Sequence, residues 1–583
     1  MKALIILCLF LFSCAHQSGK SAEEVKFYKT LDLHWAKVME MHPEFATWTN
    51  YKDGLYNDRW GDYSLAGIDK STELLKSNLS DIKEIDKEEL SEKAKLDYEL
   101  YLESLEHKVR GVQFPSELMP IDQLSGFHIN IPQLLSRMPK RSLKDYENIL
   151  ARFEKVPERI EMSIDLLKEG LKKGVTPPQI TLREVPNQFD ALFVQDIDKN
   201  PMTKAFTQFP RSLSEGEKKK LRGQAKKYLK EAIVHFKKAK SFVENEYIPN
   251  CRKTIAISDL PNGRAWYGHE IKGYITTDQT AEEIHEIGLA EVDRIKKKMD
   301  QVIRKLKYKG SFKSFLEFLR TDSQFFFKKK EDLLMTYRDI AKRADYKLFE
   351  VFKVLPRTPY GVEPTPEYME KSAPTAYYYG GSTSAGRAGT FYANTYDLKS
   401  RPKWEMVALT LHEAVPGHHL QVSLNEELGE VPHFRKYAHY TAFIEGWGLY
   451  AESLGEEMGM YEDLYDKFGQ LTYEMWRAIR LVVDTGMHAK GWSRDQAIAY
   501  FKKYAAKTEH DITVEIDRYI IWPGQALSYK VGELKIKELR KRASEKLGEK
   551  FDLREFHNQV LKNGALPLSI LEANINKWVK EII

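Results

Sequence analysis

The sequence predicts a mainly α-helical body in two lobes with one small β element. Three observations lead there. Apolar residues recur at helical spacing through most of the chain, and capping pairs stand ahead of several of these runs. Glycine, proline and β-branched residues gather in only two stretches, 249–277 and 355–397, where short strands are expected. No Pro- or Ser-rich linker divides the chain after residue 25 and no internal repeat is visible, so residues 26–583 read as a single unit. Its lobes are expected to be about 26–345 and 346–583, joined near 345–375.

At the N-terminus, Lys2 precedes the apolar run Ala3 to Phe12, followed by Leu11-Phe12-Ser13-Cys14 and a polar stretch to Glu24. The run is too short to cross a bilayer. It resembles a bacterial lipoprotein signal, which implies removal of residues 1–13, acylation of Cys14 and a tether over 14–25. Ala15 after the cysteine, again by resemblance, favours the periplasmic face of the outer membrane. An ordinary secretory signal is the alternative. Cys8 lies inside the signal, so Cys251 is left without a disulfide partner and no cysteine cluster can hold a metal.

Helices follow in order. Ser142 with Asp145 can cap a run carrying Tyr146, Ile149, Leu150 and Phe153. The basic stretch Lys218 to Lys240 is interleaved with Leu221, Ala225, Tyr228, Leu229, Ala232, Phe236 and Ala239, which makes it a solvated amphipathic helix rather than a nucleic-acid patch. Thr280 with Glu283 caps a third run, Ile284 to Leu306. The whole-chain balance agrees: 90 Lys plus Arg against 85 Asp plus Glu gives +5 over 583 residues, and mean hydropathy is −0.51. Nucleic acid is therefore not an expected partner.

Chemistry concentrates in His412 to Gln421, HEAVPGHHLQ. In the common zinc-protease pattern, two histidines four apart on one helix hold the metal and the glutamate after the first serves as general base. Here the residue four after His412 is Pro416, which cannot ligate and cannot continue the helix. On an ideal helix His418 lies about 120° away, while His419 shares the face of His412 but about 10 Å along the axis. A bulge at Pro416-Gly417 that absorbs two residues would bring His418 beside His412, with His419 as the competitor. A third ligand is needed, and Glu445, between apolar neighbours in the EGWG segment, is the candidate. Glu452, seven residues on, can orient a ligand histidine. The plain alternative is a pair of core glutamates bonded to arginines.

Further candidates surround this set. Asp484 and His488 are spaced to pair on a helix, with His488 a donor to a developing oxyanion, unless they form an ordinary core pair. Tyr519 and Tyr529 flank the loop Trp522-Pro523-Gly524-Gln525, and either phenol, or Gln525, can reach substrate; core packing is the ordinary role of a tyrosine. Tyr377 to Gly381 and Arg387 to Thr395 suggest an edge strand beside the metal helix, with Arg387, Tyr392 and Asn394 contacting a bound peptide. His285-Glu286 lacks a second histidine and reads as structural or substrate-contacting.

With HEAVPGHH followed by EGW, and with segments such as Pro120 to Gly126, Glu283 to Leu289, Arg480 to His488 and Pro523 to Ala526, the chain resembles the bacterial family called domain of unknown function 885. That family is grouped with gluzincin-type zinc metallopeptidases that use two histidines and a downstream glutamate. The resemblance implies a two-lobed helical metallopeptidase-like fold with its β element beside the active-site helix, Zn2+ on His412, His418 and Glu445, and Glu413 as base. The expected function is hydrolysis of short or unfolded peptides in the bacterial envelope, with attachment to the membrane through the N-terminal lipid. Two rivals stand beside it: a zinc hydrolase of a non-peptide ester or amide, and a non-catalytic lipoprotein that binds peptides or proteins. Oligomeric state is not legible.

Overall fold

The computed structural model describes residues 20–367, 369–370, 373–382 and 386–583; the lipidation candidate Cys14 lies outside them. The chain is mainly α-helical with one three-stranded sheet. The helices that matter for the site are α1 (Ala22–Met41), α2 (Glu92–Gly111), α3 (Gly263–Ile275), α4 (Ala281–Lys305) and α5 (Lys330–Val351). After the sheet come α6 (Met406–Glu413), α7 (His418–Glu426), α8 (Thr441–Leu454), α9 (Leu464–Ala489), α10 (Glu509–Ile521) and α11 (Ser528–Leu547).

Local signals explain several boundaries. Thr280 and Glu283 form the capping box of α4, as do Ser142 and Asp145 for the helix Leu143–Glu154. The basic stretch folds as the single helix Glu215–Phe242, burying Leu221, Ala225, Tyr228, Leu229, Ala232, Phe236 and Ala239. Strands expected over 249–277 do not form. A short 3-10 turn, Ile257–Asp259, leads into α3, and Gly263 is there because a Cβ would overlap the Ile257 carbonyl oxygen. Its glycine serves a close helix approach, which sequence alone does not separate from a β signal.

All three strands fall in the second stretch: β1 (Tyr360–Pro364), β2 (Ala376–Tyr379) and β3 (Gly389–Ala393). Their order is β1-β3-β2, with β3 parallel to β1 and antiparallel to β2. The Arg387–Thr395 segment therefore supplies the central strand, and the edge beside α6 is β2.

The longest core cluster draws residues from Leu100 to Val579 and so runs through 345–375, where the sequence suggests a join. A second cluster is confined to Ile121–Cys251. At the centre lies α9, buried almost without interruption from Phe468 to His488. Helix α4 crosses it closely at Gly288, where a Cβ would come within 2.8 Å of Leu481 and Val482. No helix among the described residues is long and apolar enough to cross a membrane.

Candidate metal centre

The HEAVPGHH segment is a broken helix rather than a bulged one. Every residue of α6 is buried, and its hydrogen bonding ends as Ala414 N–H donates to Thr410 O at 2.8 Å. Ala414 then leaves helical geometry (φ −95°, ψ −114°), the chain passes the cis Val415–Pro416 bond, and α7 starts at His418. His419 N–H reaches back to Ala414 O at 3.0 Å, and Trp447 Nε1–H donates to Pro416 O at 2.9 Å, so the turn is secured from two sides. Gly417 packs so tightly on the end of α6 that a Cβ would overlap the carbonyl oxygens of Leu411 and His412. The outcome is the one expected of a bulge: the rings of His412 and His418 stand 4.6 Å apart, nearly perpendicular at 86°.

Helix α8 brings the third group. Glu445 Oε2 lies 3.7 Å from His412 Nε2 and 3.7 Å from His418 Nε2. The three ligand atoms lie within 4.8 Å of one another, the one such cluster of three or more histidine, cysteine or acidic groups among the described residues. Two glycines make this approach possible. At Gly446 a Cβ would come within 2.5 Å of Gly532 on α11, and at Gly448 a Cβ would come within 2.7 Å of the His412 ring. The EGWG pattern thus lowers α8 onto α11 on one side and accommodates the His412 imidazole on the other.

Glu452, fully buried, accepts from His412 Nδ1–H at 2.8 Å. Burial opposes the charge of His412, yet Glu445 and Glu452 outweigh it and raise the imidazole to about 9, so a cation would displace the Nε2 proton that faces Glu445 while Nδ1–H stays on Glu452. A zinc ion fits this set. With bonds of about 2.0–2.1 Å, neighbouring ligand atoms of a tetrahedral site lie about 3.3 Å apart, close to the observed 3.7 Å, and two imidazoles plus a carboxylate leave one position open.

Electrostatics agree with a cation-receiving site. Burial opposes ionisation of Glu445, yet its hydrogen bond with His412 and the charges of His418, His412 and Arg477 outweigh it and hold the carboxyl down at about 2. Burial, followed by the charge of His412, lowers His418 to about 4, and its Nδ1 is buried without a partner. Glu413 is raised to about 7, chiefly by burial, and its carboxyl accepts the backbone N–H of Tyr378 on β2. Glu413 is thereby tied to the sheet edge.

The remaining sequence candidates divide. Tyr529 is half-buried, stacks 4.5 Å beneath the Arg480 guanidinium, and lies near enough to Glu445 for that carboxylate, after burial, to raise its pKa. It borders the centre. His419 does not ligate: Nδ1 bonds Tyr378 Oη at 2.9 Å and approaches Ser423 Oγ at 3.3 Å, its ring packs 4.4 Å from Tyr360, and it also bonds the Thr358 backbone. Its role is to tie α7 to the sheet. His488 is not an oxyanion donor, because Nδ1 accepts from Ile257 N–H at 3.1 Å and Nε2–H donates to Tyr519 O at 3.0 Å. Nor does Asp484 orient it. Asp484 accepts from Tyr267 Oη–H at 2.6 Å and Gly524 N–H at 3.1 Å, fastening α3 and the Trp522 loop to α9.

Tyr519 is buried with its hydroxyl between Arg480 Nε at 2.7 Å and Glu515 Oε2 at 2.5 Å. Gln525 Oε1 accepts from Arg518 Nη1–H at 2.9 Å. Asn394 is 1% exposed and spends its amide on the carbonyls of Glu370, Ala373 and Pro374, closing the turn that precedes β2. Tyr519 and Asn394 are thus engaged within the fold, whereas Gln525 engages only its oxygen. Arg387 is exposed at the turn between β2 and β3, donating to Gly380 O at 3.1 Å, and Tyr392 stacks on Tyr377 at 5.0 Å. His285 bonds Thr485 Oγ1 at 2.8 Å and is structural.

Three residues near the centre escaped sequence reasoning. Arg477, buried on α9, lies 3.6 Å from Glu452 and acts on Glu413, Glu445 and His418. Its signal was a second arginine three residues before Arg480 on an otherwise apolar helix, which demands buried anionic partners. Tyr378 contributes a backbone group, for which a sequence carries no signal. His439, exposed in the loop before α8, lies close enough to His418 to influence its charge.

The fold and the site together define a mainly α protein with a buried two-histidine, one-glutamate cluster. The chain belongs to the family described as bacterial protein of unknown function (DUF885), whose model matches residues 43–575. It is similar to a crystal structure described as that of the "putative lipoprotein" from Colwellia psychrerythraea: 28% identity, TM-score 0.86, covering 96% of this chain and 99% of that one. It is also similar in fold to a structure titled a "putative lipoprotein of unknown function" from Shewanella oneidensis, with 19% identity, TM-score 0.75, and coverage of 94% and 99%. No curated protein compared with the sequence matches it.

Proposed function

We propose that this protein is a zinc-dependent peptidase of the bacterial envelope, held to the membrane by a lipid on Cys14. The observation that carries the reading is the convergence of His412, His418 and Glu445 beside Glu413, with the β2 edge against the same helix end. A zinc ion held by those three groups would polarise the scissile carbonyl and make bound water acidic. Glu413, next to His412, takes the proton of the attacking water and returns it to the leaving amine. Tyr529 stands on the Glu445 side, where a phenol can donate to the oxygen that gains charge. The β2 edge offers main-chain groups to an extended peptide. The lipid anchor is supported by the Leu11 to Cys14 motif and by the descriptions of the two similar structures.

The test is hydrolysis of a mixed peptide library by the chain starting after Cys14, with and without chelator, read by mass spectrometry beside a Glu413→Gln variant. Chelator-sensitive cleavage lost in the variant, with zinc retained, is the expected result. Zinc binding without cleavage of any peptide would redirect the reading to another acyl bond or to binding alone.

A further inference from the structure

On one side of the centre, α9, α10 and the loop before α11 gather hydrogen-bond donors without a matching set of acceptors. Arg480, on α9, is 6% exposed. Its Nε–H donates to Tyr519 Oη at 2.7 Å and its Nη2–H to Glu515 Oε2 at 3.1 Å, while Nη1 is buried with no hydrogen-bond partner. Arg518, on α10, gives Nη2–H to the same Glu515 oxygen at 3.0 Å and Nη1–H to Gln525 Oε1 at 2.9 Å. The Tyr519 hydroxyl donates to that oxygen as well. One carboxylate thus serves two guanidinium groups and a phenol.

No other acidic group completes the balance. Asp484 lies near enough to feel Arg518, but its oxygens accept from Tyr267 and Gly524. Arg477 adds a third guanidinium whose Nε is also buried without a partner, and the Glu452 beside it already accepts from His412. Buried guanidinium groups that lack acceptors are costly to keep and gain when an anion arrives.

The pocket opens towards the metal. Arg518, Gln525 and Tyr529 are each part-exposed, and neither Gln525 Nε2 nor the Tyr529 hydroxyl has a hydrogen-bond partner among the described residues. The Tyr529 ring lies 4.5 Å from the Arg480 guanidinium and 5.9 Å from that of Arg477, and it also feels Glu445. A single phenol ring therefore separates the arginines from the metal-facing carboxylate. One residue of extended chain spans at most about 3.6 Å, so a group lodged beside Gln525 belongs to the first or second residue beyond a bond held at the centre.

We infer that this pocket binds a carboxylate of the substrate, one or two residues beyond the scissile bond, and that Arg480 and Gln525 are the specificity-determining residues that select it. The inference deepens the peptidase reading and rests on it for the ligand's identity. Gln525 meets the carboxylate at the opening, and Arg480, with Arg518 beside it, supplies the charge that draws it in. The carboxylate is either the peptide C-terminus, which makes the protein a carboxypeptidase, or an acidic side chain at that position.

The experiment is calorimetric binding to the zinc-loaded chain starting after Cys14 with Glu413→Gln, using three acetylated apolar pentapeptides: a free acid, its amide, and the amide with glutamate as its fourth residue. At least one carboxylate-bearing peptide is expected to bind about tenfold more tightly than the neutral amide. Which one does so identifies the source of the carboxylate. Arg480→Gln and, separately, Gln525→Met are expected to remove most of that preference while leaving the neutral amide unchanged, and Arg480→Lys is expected to keep part of it. A thermal melt shows whether each variant folds, and Gln525→Met, at a part-exposed position, keeps the test decisive if Arg480→Gln does not. The inference is overturned if the three peptides bind alike, if the folded variants weaken all three equally, or if none binds. Zinc-dependent hydrolysis by the unaltered protein is scored separately. Cleavage without a carboxylate preference removes this inference alone, and a preference lost in the variants without cleavage of any peptide removes the peptidase reading alone.

Discussion

Replacing Glu452 tests whether the cluster is built to hold a metal, because Glu452 is not one of the three clustered groups and bonds His412 from behind. Its carboxylate is fully buried, accepts from His412 Nδ1–H at 2.8 Å, and has Arg477 at 3.6 Å. In Glu452→Gln an amide oxygen can accept the same proton, so geometry survives and charge is lost. Trading a charged hydrogen bond for a neutral one costs about 1–1.5 kcal/mol, or about tenfold in zinc affinity. In Glu452→Ala the imidazole is also free to turn and Arg477 loses its buried counter-charge, so the loss should approach about 100-fold. Competition with a chromophoric chelator measures both variants, and a circular dichroism melt shows whether the fold survives. Zinc affinities within about twofold of the unaltered protein, with an unchanged melt, would refute the argument that this carboxylate prepares His412 for a cation.

Other expectations follow from the same geometry. His418→Ala should abolish tight zinc binding while His419→Ala keeps it, as read by the same chelator competition. Gly448→Ala should also cost zinc affinity, since the new Cβ would press on the His412 ring at 2.7 Å, and equilibrium dialysis with metal analysis checks it. Gly532→Ala, at the crossing of α8 and α11, should lower the melting temperature by the several degrees expected of an overpacked core. His488 should make the protein acid-sensitive. Burial lowers it from 6.5 to about 4, so on acidification the unfolded chain takes up this proton first. Its contribution is complete above pH 6.5 and drains away as pH falls toward 4, worth at most about 3 kcal/mol. Denaturant melts at stepped pH should show a shallower acid loss in His488→Gln.

What was legible in the chain followed from periodicity and from residue chemistry. Thr280 with Glu283, and the apolar face of the Lys218 helix, depend only on neighbours three and four residues away, and both elements form as expected. The proximity of His412 and His418 was legible because a proline in the fourth position left few ways to bring two imidazoles together. What failed depended on contacts between distant segments. The pairing of Asp484 with His488 is a sound local inference, but Tyr267, Ile257 and Gly524 arrive from other parts of the chain and claim both groups. Asn394 reads as a binding residue in an alternating strand, whereas its amide is consumed by carbonyls of the preceding turn.

The closeness of the centre is set by glycine as much as by its ligands. His412 and Glu445 stand on different helices, and their separation is decided by how near α8 approaches α6 and α11. Larger residues at 446, 448 or 532 would press α8 outward by more than the gap of about 0.4 Å between the observed 3.7 Å and a bonded ligand spacing of about 3.3 Å. Gly417 does the same for α7, since only without a Cβ can the turn fold back on the carbonyl of His412. The same four positions would be needless in a core whose glutamates merely paired with arginines, because such pairs tolerate looser spacing and adjust through flexible side chains. Close helix approach at each element that carries or backs a ligand therefore favours a cation over an ordinary ion-pair network as the reason for this arrangement.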